Sequence, residues 1–275
     1  MKSVKFEDIK GRTNHVELRG NLTADPVVKT LGNSTLVELR LASSRPVEIR
    51  GEKSEEVLFV DIEYRGKDAE AAAQFLKKGT PIFIEGALKQ DRWEKGDQKF
   101  SKVKVVGFEL SEVLFPPKQG EAPRIPTGFP KTVTFEALKE AKKNSNSLTL
   151  KGNLCADAET RVAPTGTAIT SFRLAVNRKF KTAAGEAREE VSYFNVTQMG
   201  EKAREIAGLQ KGAPVFIEGK LNLDEWQTKG PEPKNRSEVN IRAFEVANVA
   251  PSQRQARGEN AGAEEGVEEG GNVPY

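Results

Sequence analysis

The sequence predicts an all-β protein with one short helix per domain, folded as two tandem five-stranded Greek-key barrels. Three observations predict it: a long block occurs twice, apolar and polar residues alternate along separate stretches of each copy, and one helical spacing interrupts the alternation. The block KKGTPIFIEGALKQDRW (Lys77 to Trp93) returns as QKGAPVFIEGKLNLDEW (Gln210 to Trp226), sharing G-x-P-[IV]-F-I-E-G-x-L-x-x-D-x-W. Three further blocks recur in the same order. RGNLTADP (Arg19 to Pro26) matches KGNLCADA (Lys151 to Ala158), EEVLFVDIEYRG (Glu55 to Gly66) matches EEVSYFNVTQMG (Glu189 to Gly200), and GFELSEV (Gly107 to Val113) matches AFEVANV (Ala243 to Val249). The offset drifts only from 132 to 136 residues. A period that long is a duplicated domain, because solenoid repeats are several times shorter.

The second copy justifies the elements in order. Leu148–Asn153 alternates up to Gly152. Ile169–Asn177 sets Phe172, Leu174 and Val176 against Arg173, Ala175 and Asn177, and Val191–Gln198 sets Phe194 and Val196 against Tyr193, Asn195 and Thr197. Period two is the signature of a half-buried strand. Glu201–Leu209 then spaces Ala203, Ile206, Ala207 and Leu209 as a helix does, and Pro214–Leu221 and Ser237–Val246 are again strands. The first copy repeats the order, with Ala69, Ala72, Ala73, Phe75 and Leu76 on its helix. Three strands, a helix and two strands suit the OB-fold. An immunoglobulin-like sandwich needs about seven strands and no central helix.

These copies set the expected domains: a first barrel domain over 1–115, a linker over 116–145, a second barrel domain over 146–250 and an acidic tail over 251–275. The linker holds Pro116, Pro117, Pro123 and Pro126, which suits a semi-extended spacer, and Phe135, Leu138 and Ala141 suit a short helix within Thr134–Lys143. Beyond Ser252 apolar residues nearly vanish, a composition that predicts disorder.

Composition excludes several functions. A single histidine (His15) and a single cysteine (Cys155) leave no Cys/His zinc site, no disulfide framework and no duplicated His-dependent catalytic apparatus, so no cofactor or metal is expected. His15 begins an alternating run, so a surface position at a strand start is favoured over catalysis. The N-terminal MKSVKFEDIK lacks an apolar core and no apolar stretch approaches 18 residues, so no membrane association is expected. Of the net +3, the tail contributes −3 and the rest +6, a mild bias toward a polyanion.

The candidate interface rests on aromatics that do not suit a core. Tyr193 opposes the core face of Phe194, Trp226 ends the fourth strand, and Phe180 sits in the basic loop segment Asn177–Lys181 with Arg178, Lys179 and Lys181. Exposed rings among cations suit unpaired bases, each worth roughly 1–3 kcal/mol of stacking, while Lys and Arg follow the phosphates. The alternatives are a barrel plug for Trp226, an isolated loop ring for Phe180 and a subunit contact for Tyr193. Arg173 completes the set in this copy. In the first copy the corresponding set is Phe59 and Trp93 with Arg45, Lys89 and Arg92; nothing aromatic answers Phe180, so this copy is expected to rely more on charge.

On KGNLCADAETR, FRLAVNRKF, VSYFNV, LQKGAPVFIEGKL, DEW and RSEVNIRAFEV, the second copy resembles the bacterial single-stranded DNA-binding protein family over its whole length. The tandem arrangement resembles the variety with two OB-folds per chain. The resemblance implies sequence-independent single-stranded DNA binding in replication, recombination and repair, with Phe180, Tyr193 and Trp226 stacking on bases. It also implies a homodimer presenting four barrels and a cytoplasmic, nucleoid-associated place. The family's acidic tail closed by an aromatic is diluted here to Val273, Pro274 and Tyr275 after EEGVEEGGN, which implies recruitment of replication and repair proteins, a solubilising tail being the alternative. No enzyme activity is expected. An RNA-binding or strand-annealing relative is the second choice. An OB-fold nuclease, using the recurrent Glu85/Glu218 and Asp91/Asp224, is the third.

Overall fold

The computed structural model describes residues 1–250 except 32–33, 50, 66–67, 97, 118–121, 123–124, 142, 144, 182–184, 229–232 and 234. In chain order come β1 (Lys2–Lys5), a 3-10 turn (Phe6–Ile9), β2 (Asn14–Leu22), β3 (Val27–Leu31), β4 (Ser34–Ile49), β5 (Glu52–Tyr64), α1 (Ala69–Phe75), β6 (Pro81–Lys95) and β7 (Gln98–Leu114). After the linker follow β8 (Thr132–Thr134), α2 (Phe135–Glu140), β9 (Asn146–Leu154), β10 (Glu159–Val162), β11 (Ala168–Lys181), β12 (Ala187–Met199), α3 (Glu201–Glu205), β13 (Pro214–Gln227) and β14 (Asn235–Ala250).

Each copy closes on itself. β2 pairs with β4, β4 with β5, β5 in parallel with β7, β7 with β6, and β6 returns to β2. β9, β11, β12, β14 and β13 close the second ring identically. The alternating residues meet inside: Leu18, Leu41, Ile62, Ile84 and Val105 in the first ring, Leu150, Leu174, Val196 and Ile217 in the second. Burial of such side chains contributes about 1.5–3 kcal/mol apiece before the entropic cost of ordering. The short strands β3 and β10 add to the five expected. Their exposed, non-alternating sequences (Val27 and Val28 half-exposed, ETRV on the surface) carry no period-two signal.

The repeated F-I-E-G has a structural cause. In both copies the β6–β7 or β13–β14 register shifts at Glu85/Gly86 or Glu218/Gly219, a β-bulge. A Cβ at Gly86 would collide with the Val106 carbonyl, and one at Gly219 with that of Arg242. Only glycine lets these strands bend so closely.

β2 and β9 join the barrels into one sheet. Their antiparallel register centres on Val16 opposite Leu148, repeat equivalents, with Asn14 opposite Leu150 and Leu18 opposite Asn146. Equivalent residues therefore exchange partners, as at a two-fold interface, although both belong to one chain. The Asn14 side chain bonds both backbone groups of Leu88 (3.0 and 2.8 Å), as Asn146 bonds those of Leu221 (both 2.9 Å).

The linker differs from a spacer at its described end. Glu112, fully buried, accepts from the Thr127 amide and hydroxyl, and Phe129 enters the first core. A buried carboxylate needs such donors, so this segment is docked. The expected linker helix is present as α2, with Thr134 accepting from the Ala137 amide at its N-terminus. The expected helix over Glu201–Leu209 ends early at Glu205, although Ile206 and Leu209 are buried as its spacing required. Among the described residues no helix is long and apolar enough to cross a membrane.

Candidate nucleic-acid interface

Two long hairpins carry the candidate tryptophans Trp93 and Trp226. β6–β7 extends beyond the first barrel to Lys95, and β13–β14 extends beyond the second to Gln227. Each crosses the pseudo-two-fold onto the other copy's third barrel strand. Gln90 of the first hairpin accepts from the Tyr193 amide at 3.3 Å, and its own amide donates to the Ser192 hydroxyl at 3.1 Å. Leu223 and Glu225 of the second hairpin line a groove of about 230 Å³ together with Phe59 and Arg40.

In the second copy Tyr193, half-buried, lies beside Arg92 from the first copy (4.4 Å from ring centre to guanidinium) and Arg173 from its own β11 (5.2 Å). Two guanidinium groups on one ring give a cationic, planar surface. Trp226 is 46% exposed and lines a groove of about 570 Å³ with Glu225, Gln227, Asn235 and Arg236. Phe180 is half-buried beneath Arg178 (4.6 Å), whose guanidinium also reaches Glu190 at 2.9 Å. These residues lie on a strand, which corrects the loop expected for Asn177–Lys181. β11 runs on to Lys181, held through Phe180 opposite Arg188 and by bonds from Asn177 to Glu189 and Arg178 to Glu190. Lys179 is exposed, and the Lys181 side chain falls outside the described residues.

The first copy has the same frame and a different finish. Phe59 is 39% exposed with Arg40 at 6.0 Å, but Arg40 bonds Asp61 at 3.0 Å and Lys102 also pairs with Asp61. Trp93 stacks on Phe100 with centroids 5.7 Å apart and planes 14° apart, forming a double-ring platform. Beside it a groove of about 370 Å³ is lined by Arg40, Asp61, Glu63, Asp91, Lys102 and Lys104. Lys89 meets Asp91 at 2.8 Å, and Lys104 meets Asp91 at 2.7 Å and Glu63 at 3.2 Å. Partial burial alone would raise the Asp91 carboxyl, but the bonds from Lys104 and Lys89 outweigh it and hold the group below its ordinary value. Lys104 moves up because Asp91 and Glu63 outweigh its own desolvation. The equivalents of Lys89, Lys104 and Glu63 in the second copy are Asn222, Asn240 and Thr197, and Asp224 is bonded by the two amides at 2.6 and 2.8 Å.

Arg45 pairs with a carboxylate. It bonds Glu56 at 2.5 Å, and the same carboxylate accepts from Lys220 of the other copy at 2.5 Å. Lys220 is 1% exposed, and burial pushes its ammonium below its ordinary value. Glu56 is pushed up by desolvation, but its bonds to Lys220 and Arg45 prevail and hold it down. Sequence reasoning missed Arg40, Phe100 and Gln90. Arg40 was findable, since R-L-A recurs at Arg40–Ala42 and Arg173–Ala175. Phe100 and Gln90 gain meaning only from hairpin register.

The pattern of the Single-strand binding protein family matches residues 13–112 and 145–247, one match per barrel. The chain belongs to the single-strand binding protein family. Its similarity extends along both barrels in relatives of this family. The single-stranded DNA-binding protein of Thermus aquaticus is 28% identical over 248 residues, 87% of this chain and 86% of the relative. That of Deinococcus radiodurans is 28% identical over 253 residues, 90% of this chain and 78% of the relative. The crystal structure of the wild-type Thermus aquaticus protein superposes with a TM-score of 0.61 at 25% identity, covering 87% of this chain and 95% of that one. The family pattern and the two closed rings thus agree on two OB-folds per chain.

Proposed function

We propose that this chain binds single-stranded DNA without sequence demand, laying one strand across both barrels by way of the crossed hairpins. The observation that carries the reading is the Tyr193 ring flanked by Arg92 of one copy and Arg173 of the other, since it makes a single stacking surface from both. Bases stack on Tyr193, Trp226, Phe180, Phe59 and the Trp93–Phe100 platform, while Arg92, Arg173, Arg178, Lys179 and Lys181 neutralise phosphates. Lys89 and Arg45, paired to carboxylates, position neighbours and contribute less to the phosphates. No bond is made or broken.

Oligo-dT is expected to quench the emission of Trp93 and Trp226, with affinity falling as salt rises. Emission indifferent to oligo-dT would overturn the stacking model. The same surface takes single-stranded RNA in the second reading, and competition between matched DNA and RNA oligomers, with an annealing assay, separates the two. For the nuclease reading a carboxylate must be open to a metal, whereas Asp91 is held by two lysines, Glu85 by Lys143 at 2.7 Å and Glu218 by Arg12 at 2.7 Å. Magnesium-dependent cleavage of oligo-dT would revive it.

The resemblance further supports recruitment of replication and repair proteins through Val273, Pro274 and Tyr275, which lie outside the described residues. Deleting the three is expected to leave DNA affinity intact and remove partner capture. Pairing of two chains into four barrels is the remaining expectation, and it requires an open apolar face for the second copy.

A further inference from the structure

Period two along β6 puts Gln90 and Arg92 on one face of the first hairpin and Asp91 and Trp93 on the other. Asp91 and Trp93 line the groove of the first copy, whereas Gln90 and Arg92 meet β12 of the second. There the Gln90 side-chain oxygen accepts three bonds: from Arg92 Nε at 2.9 Å, from Arg92 Nη2 at 2.7 Å and from the Tyr193 amide at 3.3 Å. The Gln90 backbone amide donates in turn to the Ser192 hydroxyl at 3.1 Å, and Ser192 is buried. The guanidinium so held lies 4.4 Å from the centre of the Tyr193 ring.

The chemistry of the acceptor decides what this hold can do. Arg92 is exposed on a long flexible stem, and an unheld guanidinium loses rotamer freedom when it meets a ligand. A carboxylate would hold it and cancel its charge. That is the arrangement in the first copy, where Arg40 beside Phe59 bonds Asp61 and Lys104 is shared between Asp91 and Glu63. The oxygen of Gln90 is neutral. It takes two of the five guanidinium N–H donors and leaves three, with the whole positive charge, for a phosphate. In the second copy Leu223 stands at the place of Gln90, Glu225 at that of Arg92, and the first copy has Leu58 at that of Ser192. The second hairpin therefore cannot repeat the device at Phe59.

We propose that Gln90 is a positioning residue: a neutral acceptor that orients the Arg92 guanidinium over the Tyr193 ring and leaves its charge to the bound strand. The inference rests on the reading of Tyr193 as a stacking site for single-stranded DNA. Because the same oxygen accepts from the Tyr193 amide, the guanidinium is placed relative to the ring's own backbone and not only to its hairpin.

Two substitutions in the full chain separate orientation from charge. Gln90→Met removes the acceptor at similar length. It is expected to weaken oligo-dT binding about three- to tenfold and to keep the slope of log affinity against log salt, since no charge changes. Gln90→Glu keeps the acceptor and cancels the cation, so binding should weaken and that slope flatten by about 1. In an Arg92→Lys background, where the two-pronged bond cannot form, Gln90→Met should add less than about twofold. Amide exchange without DNA reads the same contact: the Tyr193 amide should exchange about tenfold or more faster in Gln90→Met and stay protected in Gln90→Glu. Equal losses from Gln90→Met in both backgrounds, or an unchanged Tyr193 amide, would overturn the proposal. Protection lost throughout β6, β7 and β12 would mark a merely structural residue and overturn it as well. Failure of the stacking reading would show separately, as tryptophan emission indifferent to oligo-dT in the unsubstituted protein, and the amide exchange then still decides whether Gln90 holds this site.

Discussion

Around Tyr193 the second copy is finished with guanidinium groups, whereas around Phe59 the first is finished with ion pairs. The barrels themselves are alike: bulge glycines at Gly86 and Gly219, bridging asparagines at Asn14 and Asn146, tryptophans at the hairpin ends. The polar and charged positions around the rings diverge. Arg92 is answered by Glu225, Gln90 by Leu223, and the lysines at 89 and 104 by asparagines. A lysine shared between Asp91 and Glu63 has its charge already satisfied, so it attracts phosphate less than its formal count suggests. Part of the first copy's positive charge is therefore already met within the protein, so its formal count overstates what it offers to phosphate.

The largest expected effect lies at the junction rather than on either binding face. Lys220 is buried against Glu56 of the other copy, and at the equivalent of Lys220 the first copy has Ala87. Glu56→Gln leaves a buried ammonium without its counter-charge and is expected to cost about 2–3 kcal/mol, read from urea unfolding. Because its partners hold Glu56 below its ordinary value, its contribution is present above the unfolded glutamate range of about 4.3 and is lost as pH falls through the lower folded value. Wild type should therefore lose stability on acidification below about pH 4.5 more steeply than Glu56→Gln. Equal acid slopes would place the pair's worth near zero. Glu190→Gln, which disturbs only Arg178 within one copy, should cost less than Glu56→Gln.

Next in size is the difference between equivalent rings. Tyr193→Ala is expected to weaken oligo-dT binding by about 1–3 kcal/mol, and Phe59→Ala by less, measured by fluorescence titration at fixed salt. A larger loss for Phe59→Ala would mean that the strand favours the ion-paired copy. Such a result would also move the centre of the path to the Trp93–Phe100 platform.

Much of this frame was legible because core and turn chemistry repeat. The repeated F-I-E-G block marked the fourth strand of each copy, and D-x-W marked its end at Trp93 and Trp226, while the bulge inside that strand shows only in the register. What was not legible depends on partners distant in the chain. The β11 extension through Phe180 looked like a loop because apolar alternation stops at Val176, yet cross-strand charge pairs continue the ladder. Lys89 was recognisable as a cation, but its pairing needs the register of β5, β6 and β7 together. Tyr193 was recognisable as outward-facing, but Arg92 reaches it from 101 positions away.

The smallest effect gives the sharpest comparison. Glu225→Arg converts the second hairpin into an electrostatic match of the first, placing a guanidinium in the groove that Phe59 lines. Replacing a repelling carboxylate by a phosphate-seeking cation is expected to tighten oligo-dT binding and to steepen the dependence of log affinity on log salt by about 1. Glu225 is exposed, so folding stability should change by less than about 0.5 kcal/mol. The reciprocal Arg92→Glu should flatten the salt dependence by a similar amount and also remove one of the two guanidinium groups beside the Tyr193 ring. If Glu225→Arg leaves both affinity and salt slope unchanged, the strand does not pass Phe59, and the two copies differ in whether they meet the strand rather than in how firmly.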